Sequence, residues 1–145
     1  MKILVAGATG FIGKKLVKTL DQKGHEIVVL TRNRETARFH IPIHCEIQQW
    51  DPEKSPLSTN SLKDVDVVIN LSGENIASSF WTETQKRKLM DSRKMSVRRI
   101  VKAMAVMNTK PKVFISASAV GFYGNRRNEE LQETSSAGEG FLSKV

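Results

Sequence analysis

Apolar residues in this chain occur in short, nearly continuous runs. Four of the runs are rich in β-branched side chains: Ile3–Ala6, Glu26–Thr31, Asp64–Gly73 and Lys112–Ser118. Such runs are typical of strands that are covered on both faces of a parallel sheet. Glu46–Asp51 alternates instead, which predicts a third strand near the edge of the sheet.

Two segments between the strands carry the 3.6-residue period of a helix. The first runs from Phe11 to about Gln22, with Gly24 as its expected C-terminal cap. The second begins after Thr82, a good N-cap residue, and extends to about Met107. Its predicted core positions are Leu89, Val97, Ile100, Val101, Met104 and Ala105. Residues 35–42 are predicted as a loop or a short, poor helix, and residues 52–60 as a loop.

Three glycines follow the first strand and open the first helix. Gly7 permits a tight turn off the strand, Gly10 lets the backbone approach a pyrophosphate, and Gly13 allows close packing of helix on sheet. The free N–H groups at the start of a helix favour phosphate. This context predicts a nucleotide-binding loop. The alternative is a plain strand–turn–helix connection.

The end of the second strand bears on the choice of nucleotide. Sites that prefer NAD place an Asp or Glu there to bind the ribose 2′-hydroxyl. This chain has Thr31-Arg32-Asn33-Arg34 instead, and an arginine can pair with a 2′-phosphate that an acid would repel. We therefore predict NADP, with Arg32 as its main contact and Thr31 beside it. NAD stays an alternative, as does an ordinary solvated arginine.

The G-x-x-G-x-x-G spacing, together with Thr9, Phe11 and Ile12, resembles the extended short-chain dehydrogenase/reductase superfamily. Residues 70–76, 80–82 and 91–93 narrow the resemblance to an epimerase-like, NAD(P)-binding branch. The resemblance implies a Rossmann-type, doubly wound parallel α/β sheet with five strands in the order 3-2-1-4-5. It also implies that the relatives continue for about the same length again, so that the C-terminal part is missing here and the fifth strand has an unpaired edge open to self-association.

The resemblance also carries over a set of cofactor-binding residues. Trp50 and Asp51 are candidates to flank the adenine, although Trp50 could equally be a packed edge aromatic. The small-residue end of the fourth strand is expected to touch the dinucleotide, and Arg93 to lie near it. The full predicted set is Gly7, Thr9, Gly10, Phe11, Ile12, Gly13, Thr31, Arg32, Trp50, Asp51, Leu71, Ser72, Gly73 and Arg93.

Two residues after the fifth strand are the catalytic candidates. Ser118 matches the serine that orients a substrate carbonyl or hydroxyl, although it could merely cap a turn. Tyr123 is the only tyrosine. The superfamily pairs a tyrosine with a lysine four residues on, which lowers the pKa of the phenol. In the best register Phe141 and Val145 take those two positions, so the usual acid–base pair is not found.

Composition adds limits. At 145 residues the chain is expected to form one NAD(P)-binding domain over residues 1–145. The net charge of +8 is spread over several segments with few aromatics between them, so cofactor phosphates are a better explanation than nucleic acid. We expect no membrane span and no metal site, and the single cysteine, Cys45, fits a reducing cytoplasm.

These observations predict the NADP-binding domain of an epimerase-like short-chain dehydrogenase. The whole protein is expected to be an oxidoreductase or epimerase that acts on a nucleotide-sugar-like or other hydroxyl or carbonyl substrate. The alternative is a non-catalytic module that senses NADP. The substrate itself is not predicted from these residues.

Overall fold

A computed structural model describes all residues, 1–145. Its centre is a sheet of five parallel strands in the order β3-β2-β1-β4-β5, which confirms the predicted Rossmann-type topology. The strands are β1 (Lys2–Ala6), β2 (Glu26–Thr31), β3 (Glu46–Gln49), β4 (Val67–Asn70) and β5 (Val113–Ser116). In the middle of the sheet Leu4 lies level with Val28 on one side and Val68 on the other.

Four helices and two 3₁₀ turns surround the sheet. They are α1 (Phe11–Gln22), α2 (Arg34–His40), α3 (Glu83–Ala105), α4 (Phe141–Lys144) and the turns Thr59–Leu62 and Val120–Tyr123. Gly24 follows α1 with a φ of +76°, as expected of a glycine that ends a helix. None of the helices combines the length and apolar character that crossing a membrane would require.

Helix α2 covers most of the segment that the sequence predicts as either a loop or a short helix. Asn33 precedes it in an extended conformation, and its side-chain oxygen accepts a hydrogen bond from the Thr36 amide at 3.0 Å. Glu35 in the first turn favours the positive end of the helix. Capping therefore compensates for a segment with little apolar content.

Each face of the sheet is covered by its own apolar core. Along β1, Leu4 and Ala6 face one cluster, which is closed by α3 through Ile100. The intervening Ile3 and Val5 face a second cluster, which includes Val17 of α1 and Ala37 of α2. A strand whose alternate residues are buried on opposite faces needs the continuous apolar sequence seen here.

The inward face of α3 differs from the predicted stripe. Leu89 and Ile100 are buried as predicted, but Val101 is 45% exposed and Ala105 is exposed. Ser96 and Ala103 are buried in their place. At 100° per residue Val101 turns away from the face that Ile100 occupies, and a small residue fits where the helix lies close to the sheet.

Burial ends abruptly along the chain. Pro111 is buried, and no later residue is. On β5, Val113 and Ile115 are 45% and 48% exposed, and the strand pairs with β4 on one side only. β5 therefore forms an open edge of the sheet, as the sequence predicts.

Candidate functional site

A groove runs along the carboxyl ends of the central strands. It opens where the strand order reverses, beside β1, which is where open α/β sheets bind ligands. Ten of the predicted cofactor residues line it: Gly7, Thr9, Gly10, Thr31, Arg32, Trp50, Asp51, Leu71, Ser72 and Gly73. The turns after four strands therefore converge on one surface.

Two glycines in the loop after β1 are required by close packing. A Cβ on Gly13 would lie 2.2 Å from the carbonyl oxygen of Gly7 and 2.6 Å from the Cα of Ala8. Gly7 has a φ of +85°, and a Cβ there would lie 2.7 Å from the carbonyl carbon of Leu71. The backbone of the loop therefore packs directly against the first turn of α1 and against the residues after β4, with no space for a side chain at Gly7 or Gly13.

The start of α1 presents its backbone to the groove side. Gly10 occupies the N-cap position without a side chain to bond the first amides, and no acidic residue lies in the first turn. An N-terminus of this kind attracts an anion. Phe11 and Ile12, 96% and 67% exposed, do not line the groove themselves.

The polar end of β2 faces the outer part of the groove. Thr31, Arg32 and Asn33 line it, and Arg32 is exposed and makes no ion pair. The acids on this side follow β3, where Asp51 contacts Lys54 at 3.8 Å. No acid stands at the end of β2, so the residue type that NAD-preferring sites use there is missing.

Trp50 is a packed aromatic residue, which was one of the two alternatives from the sequence, and it also lines the groove. It is only 7% exposed and packs in the cluster on the α3 side of the sheet. Its indole Nε1 donates to the carbonyl oxygen of Ser55 at 3.2 Å. Trp50 thus lines the groove, and its hydrogen bond to Ser55 holds the loop after β3 against the core.

The groove also includes residues that the sequence did not identify. Thr36 and His40 lie one turn apart on α2, and Glu74 and Ser92 lie at the end near α3. The four-residue spacing of Thr36 and His40 would have placed them together had α2 been assigned as a helix. Ser92 lies in the segment 91–93 that carries the resemblance, but only Arg93 of that segment was predicted to lie near the cofactor.

Arg93 lies beside the groove and not in its wall. Its Nη1 donates to the carbonyl oxygen of Glu74 at 3.1 Å and to that of Leu89 at 3.0 Å. The guanidinium covers Gly73, which does line the groove. In this structure Arg93 therefore binds the polypeptide itself.

The two catalytic candidates stand apart from the groove lining. Ser118 is exposed beyond the end of β5, and Tyr123 ends a 3₁₀ turn with its ring edge-on to Phe122, the centroids 5.1 Å apart. Phe141, at the start of α4, packs edge-on against Trp81 at 5.7 Å. The Nζ of Lys86 lies 5.9 Å from the Phe141 centroid. No phenol stands at that position to donate a proton.

Displaced pKa values occur away from the groove. The backbone amide of Lys2 and the Lys112 ammonium lower the pKa of Asp66, and hydrogen bonding to Lys86 lowers the pKa of Glu83. Burial raises the pKa of the Cys45 thiol, so the thiol is a poor nucleophile. No group of three His, Cys, Asp or Glu side chains is arranged to hold a metal ion.

The topology, the glycine loop and the groove define a Rossmann-type, dinucleotide-binding domain. The profile of the NAD dependent epimerase/dehydratase family matches residues 3–140, and the chain belongs to that family. It forms the NAD(P)-binding domain of a protein related to the short-chain dehydrogenases, as the resemblance predicted.

Individual relatives agree with this assignment. The chain is 35% identical over 143 residues to epimerase family protein ML0860 of Mycobacterium leprae and 36% identical over 145 residues to YfhF of Bacillus subtilis. Each alignment covers 99% of this chain, but only 44% and 46% of the respective relative. The chain therefore spans less than half the length of the curated relatives it matches.

Solved structures show the same pattern. The crystal structure of human epimerase family protein SDR39U1 (isoform 2) with NADPH superposes with a TM-score of 0.79 at 29% identity, over 99% of this chain and 45% of that one. MoeE5 in complex with UDP-glucose and NAD shares the fold, with a TM-score of 0.78 at 21% identity, over 99% of this chain and 44% of that one. One of these two structures thus contains NADPH and the other contains NAD.

Proposed function

We propose that residues 1–145 act as a single NADP(H)-binding domain and that Arg32 selects the 2′-phosphate. The observation that carries this proposal is the end of β2, where an unpaired arginine lines the groove and no acid is present. A guanidinium can bind a phosphate through two parallel hydrogen bonds. The NADPH complex of SDR39U1, at 29% identity, supports the same nucleotide.

The chemistry of the groove fits the parts of a dinucleotide. The pyrophosphate would bind at the start of α1, where Gly7 and Gly10 bring the backbone close and Thr9 adds a hydroxyl. The adenine would lie against Trp50 and Asp51 after β3, and the nicotinamide side towards Ser72 after β4. The bound nicotinamide would supply or accept hydride, and the chain's own residues position it.

The test is calorimetric titration of the purified chain with NADPH and with NADH. We expect tighter binding of NADPH, and we expect Arg32→Ala to weaken NADPH binding about tenfold or more while leaving NADH binding unchanged. Arg38→Ala is the matched control, because Arg38 is exposed on α2 but does not line the groove. Equal affinity of the wild type for both nucleotides would contradict the proposal.

For the whole protein we propose an oxidoreductase or epimerase that acts on a nucleotide-sugar-like or other hydroxyl or carbonyl substrate. Family membership and the position of Ser118 just after β5 support this proposal. Tyr123 is the only tyrosine among residues 1–145 and is the candidate for proton transfer within them. Loss of hydride exchange in Ser118→Ala and Tyr123→Phe would support it, whereas binding without exchange by the whole protein would favour an NADP-sensing module.

We further propose that the protein resides in the cytoplasm. The single free cysteine supports this location.

We also propose that β5 pairs with a second copy of the chain. The open β5 edge, with Val113 and Ile115 about half exposed, supports this pairing. Light scattering over a range of concentrations should detect dimers, and a strictly monomeric chain would contradict the pairing.

A further inference from the structure

Helix α3 holds the turn that follows β4 by side-chain contacts on one of its faces. We call residues 71–74 the β4 turn. The Glu74 amide donates to Oγ of Ser92 at 3.0 Å, and the Glu74 carbonyl accepts from Nη1 of Arg93 at 3.1 Å. Both backbone polar groups of Glu74 are therefore bound by neighbouring residues of α3.

The Glu74 side chain adds a third link to the same helix. Its Oε1 lies 3.3 Å from Nζ of Lys88, and the side chain is only 15% exposed. Lys88 and Ser92 are four residues apart, so they project from the same side of α3. Since Glu74 lines the groove, these contacts fix a part of the groove wall.

The Arg93 side chain packs closely against Gly73. A Cβ on Gly73 would lie 3.2 Å from Cζ and 3.3 Å from Cγ of the arginine. The φ of Gly73 is not in the left-handed region, so the backbone conformation does not itself demand glycine. A Cβ at position 73 would therefore require the arginine side chain to shift.

The beginning of the β4 turn is bound by the same helix. The Asn70 side chain donates to Oγ of Ser96 at 3.2 Å and accepts from the Ser72 amide at 3.2 Å. Asn70 and Ser96 are 3% and 0% exposed. The turn is therefore held at both ends, with Arg93 between them.

We propose that Arg93 is a positioning residue for the cofactor, which acts through Gly73 and Glu74 and does not bind the dinucleotide directly. This inference rests on the proposed function, because it assumes that a dinucleotide occupies the groove. Arg93 itself is absent from the groove lining, whereas the two residues that it holds line the groove. Its Nη1 carries two hydrogens and donates to two carbonyl oxygens, those of Glu74 and Leu89.

The test compares Arg93→Met with Arg98→Met in the full chain. Methionine keeps an apolar stem but removes the donors, and Arg98 is an exposed arginine of the same helix. In the cofactor-free Arg93→Met protein we expect hydrogen exchange at the Glu74 amide to be about tenfold faster, and NADPH binding to be about tenfold weaker. The control variant should change neither quantity.

Gly73→Ala provides a second route if Arg93→Met does not fold, because it should shift the guanidinium and weaken NADPH binding while Arg93 is still present. The double variant separates positioning from general damage, because Gly73→Ala should add little further loss when Arg93→Met is already present. Unchanged Glu74 exchange in Arg93→Met, or additive losses in the double variant, would overturn the positioning role. Failure of the wild type to bind NADPH would instead contradict the proposed function, while the exchange measurement would still decide what Arg93 does to the turn.

Discussion

The centre of the sheet and its β5 edge differ in how they are packed. Leu4 and Val28, in the centre, are fully buried in the core between the sheet and α3, whereas Val113 and Ile115 on β5 are about half exposed. The glycine loop grows out of the first region, and Ser118 and Tyr123 follow the second. The difference teaches that the candidate dinucleotide groove is preorganised by the hydrophobic core. The candidate catalytic residues lie instead on a segment that contains no buried residue.

Local hydrogen bonds take the place of a core in the second region. Arg126 Nε donates to the carbonyl oxygen of Tyr123 at 3.1 Å, and Ser143 Oγ donates to that of Gly121 at 3.0 Å. Half-exposed bonds of this kind are typical of segments that open at low free energy. We therefore expect residues 117–145 to exchange their amide hydrogens faster than β1 and β2.

The largest effect should come from one methyl group placed in each region. Gly13→Ala would set a Cβ 2.2 Å from the Gly7 oxygen, and we expect it to cost more than about 4 kcal/mol and to abolish NADPH binding. Gly121→Ala meets only ordinary contact, 3.7 Å from Leu142, and should change stability by less than about 1 kcal/mol. Urea denaturation and NADPH titration of both variants measure the difference. A Gly13→Ala variant that keeps wild-type stability and NADPH binding would contradict the prediction.

A smaller contrast should follow from the same truncation at two strand positions. Ile3 on β1 is 3% exposed and Ile115 on β5 is 48% exposed. Ile3→Ala should cost about 2–5 kcal/mol of unfolding free energy, because it leaves a cavity, and Ile115→Ala less than about 1 kcal/mol. Similar losses in the two variants would show that the β5 edge is covered in solution.

The smallest effect concerns Asp66, which lies just before β4 at the amino ends of the strands. It connects Lys2 of the central strand β1 with Lys112, the residue before β5. Its carboxylate accepts from the Lys2 amide and from Nζ of Lys112, both at 3.0 Å, and these bonds lower the pKa of Asp66. The folded pKa is below the unfolded one, so this stabilisation is present above about pH 4 and is lost as the pH falls through the folded pKa.

Asp66→Asn should therefore show a shallower loss of stability between neutral pH and pH 2 than the wild type. Asp64→Asn, at an exposed neighbour that makes no ion pair, is the control. Denaturant unfolding across the pH range checks both variants. Identical pH profiles for Asp66→Asn and the wild type would show that the carboxylate does not stabilise this junction.

The fold was largely predictable because its strands are continuous apolar runs and its glycines have a spacing with a steric cause. The groove was predictable to the extent that it is built from strand ends. Helix α2 was left open because its stability comes from the Asn33 cap and not from a hydrophobic stripe. The inward face of α3 was misjudged because Ser96 and Ala103 are small and carry little hydrophobic signal.

The contacts of Arg93 could not be predicted from the sequence. Resemblance placed Arg93 near the cofactor, and it does lie beside the groove, but only the folded structure shows that its guanidinium binds the Glu74 carbonyl. The close packing of Arg93 on Gly73 joins residues twenty positions apart. A contact of that kind has no local pattern.

The most direct test of the account is an amide NMR map of the chain during titration with NADPH. Binding in the groove predicts the largest shift changes at residues 7–13, 31–33 and 71–74, with little change on the outward face of α3 around Lys94 and Arg98. Shift changes confined to that outward face, or no change in a folded chain at saturating NADPH, would contradict the central claim that this groove holds the dinucleotide.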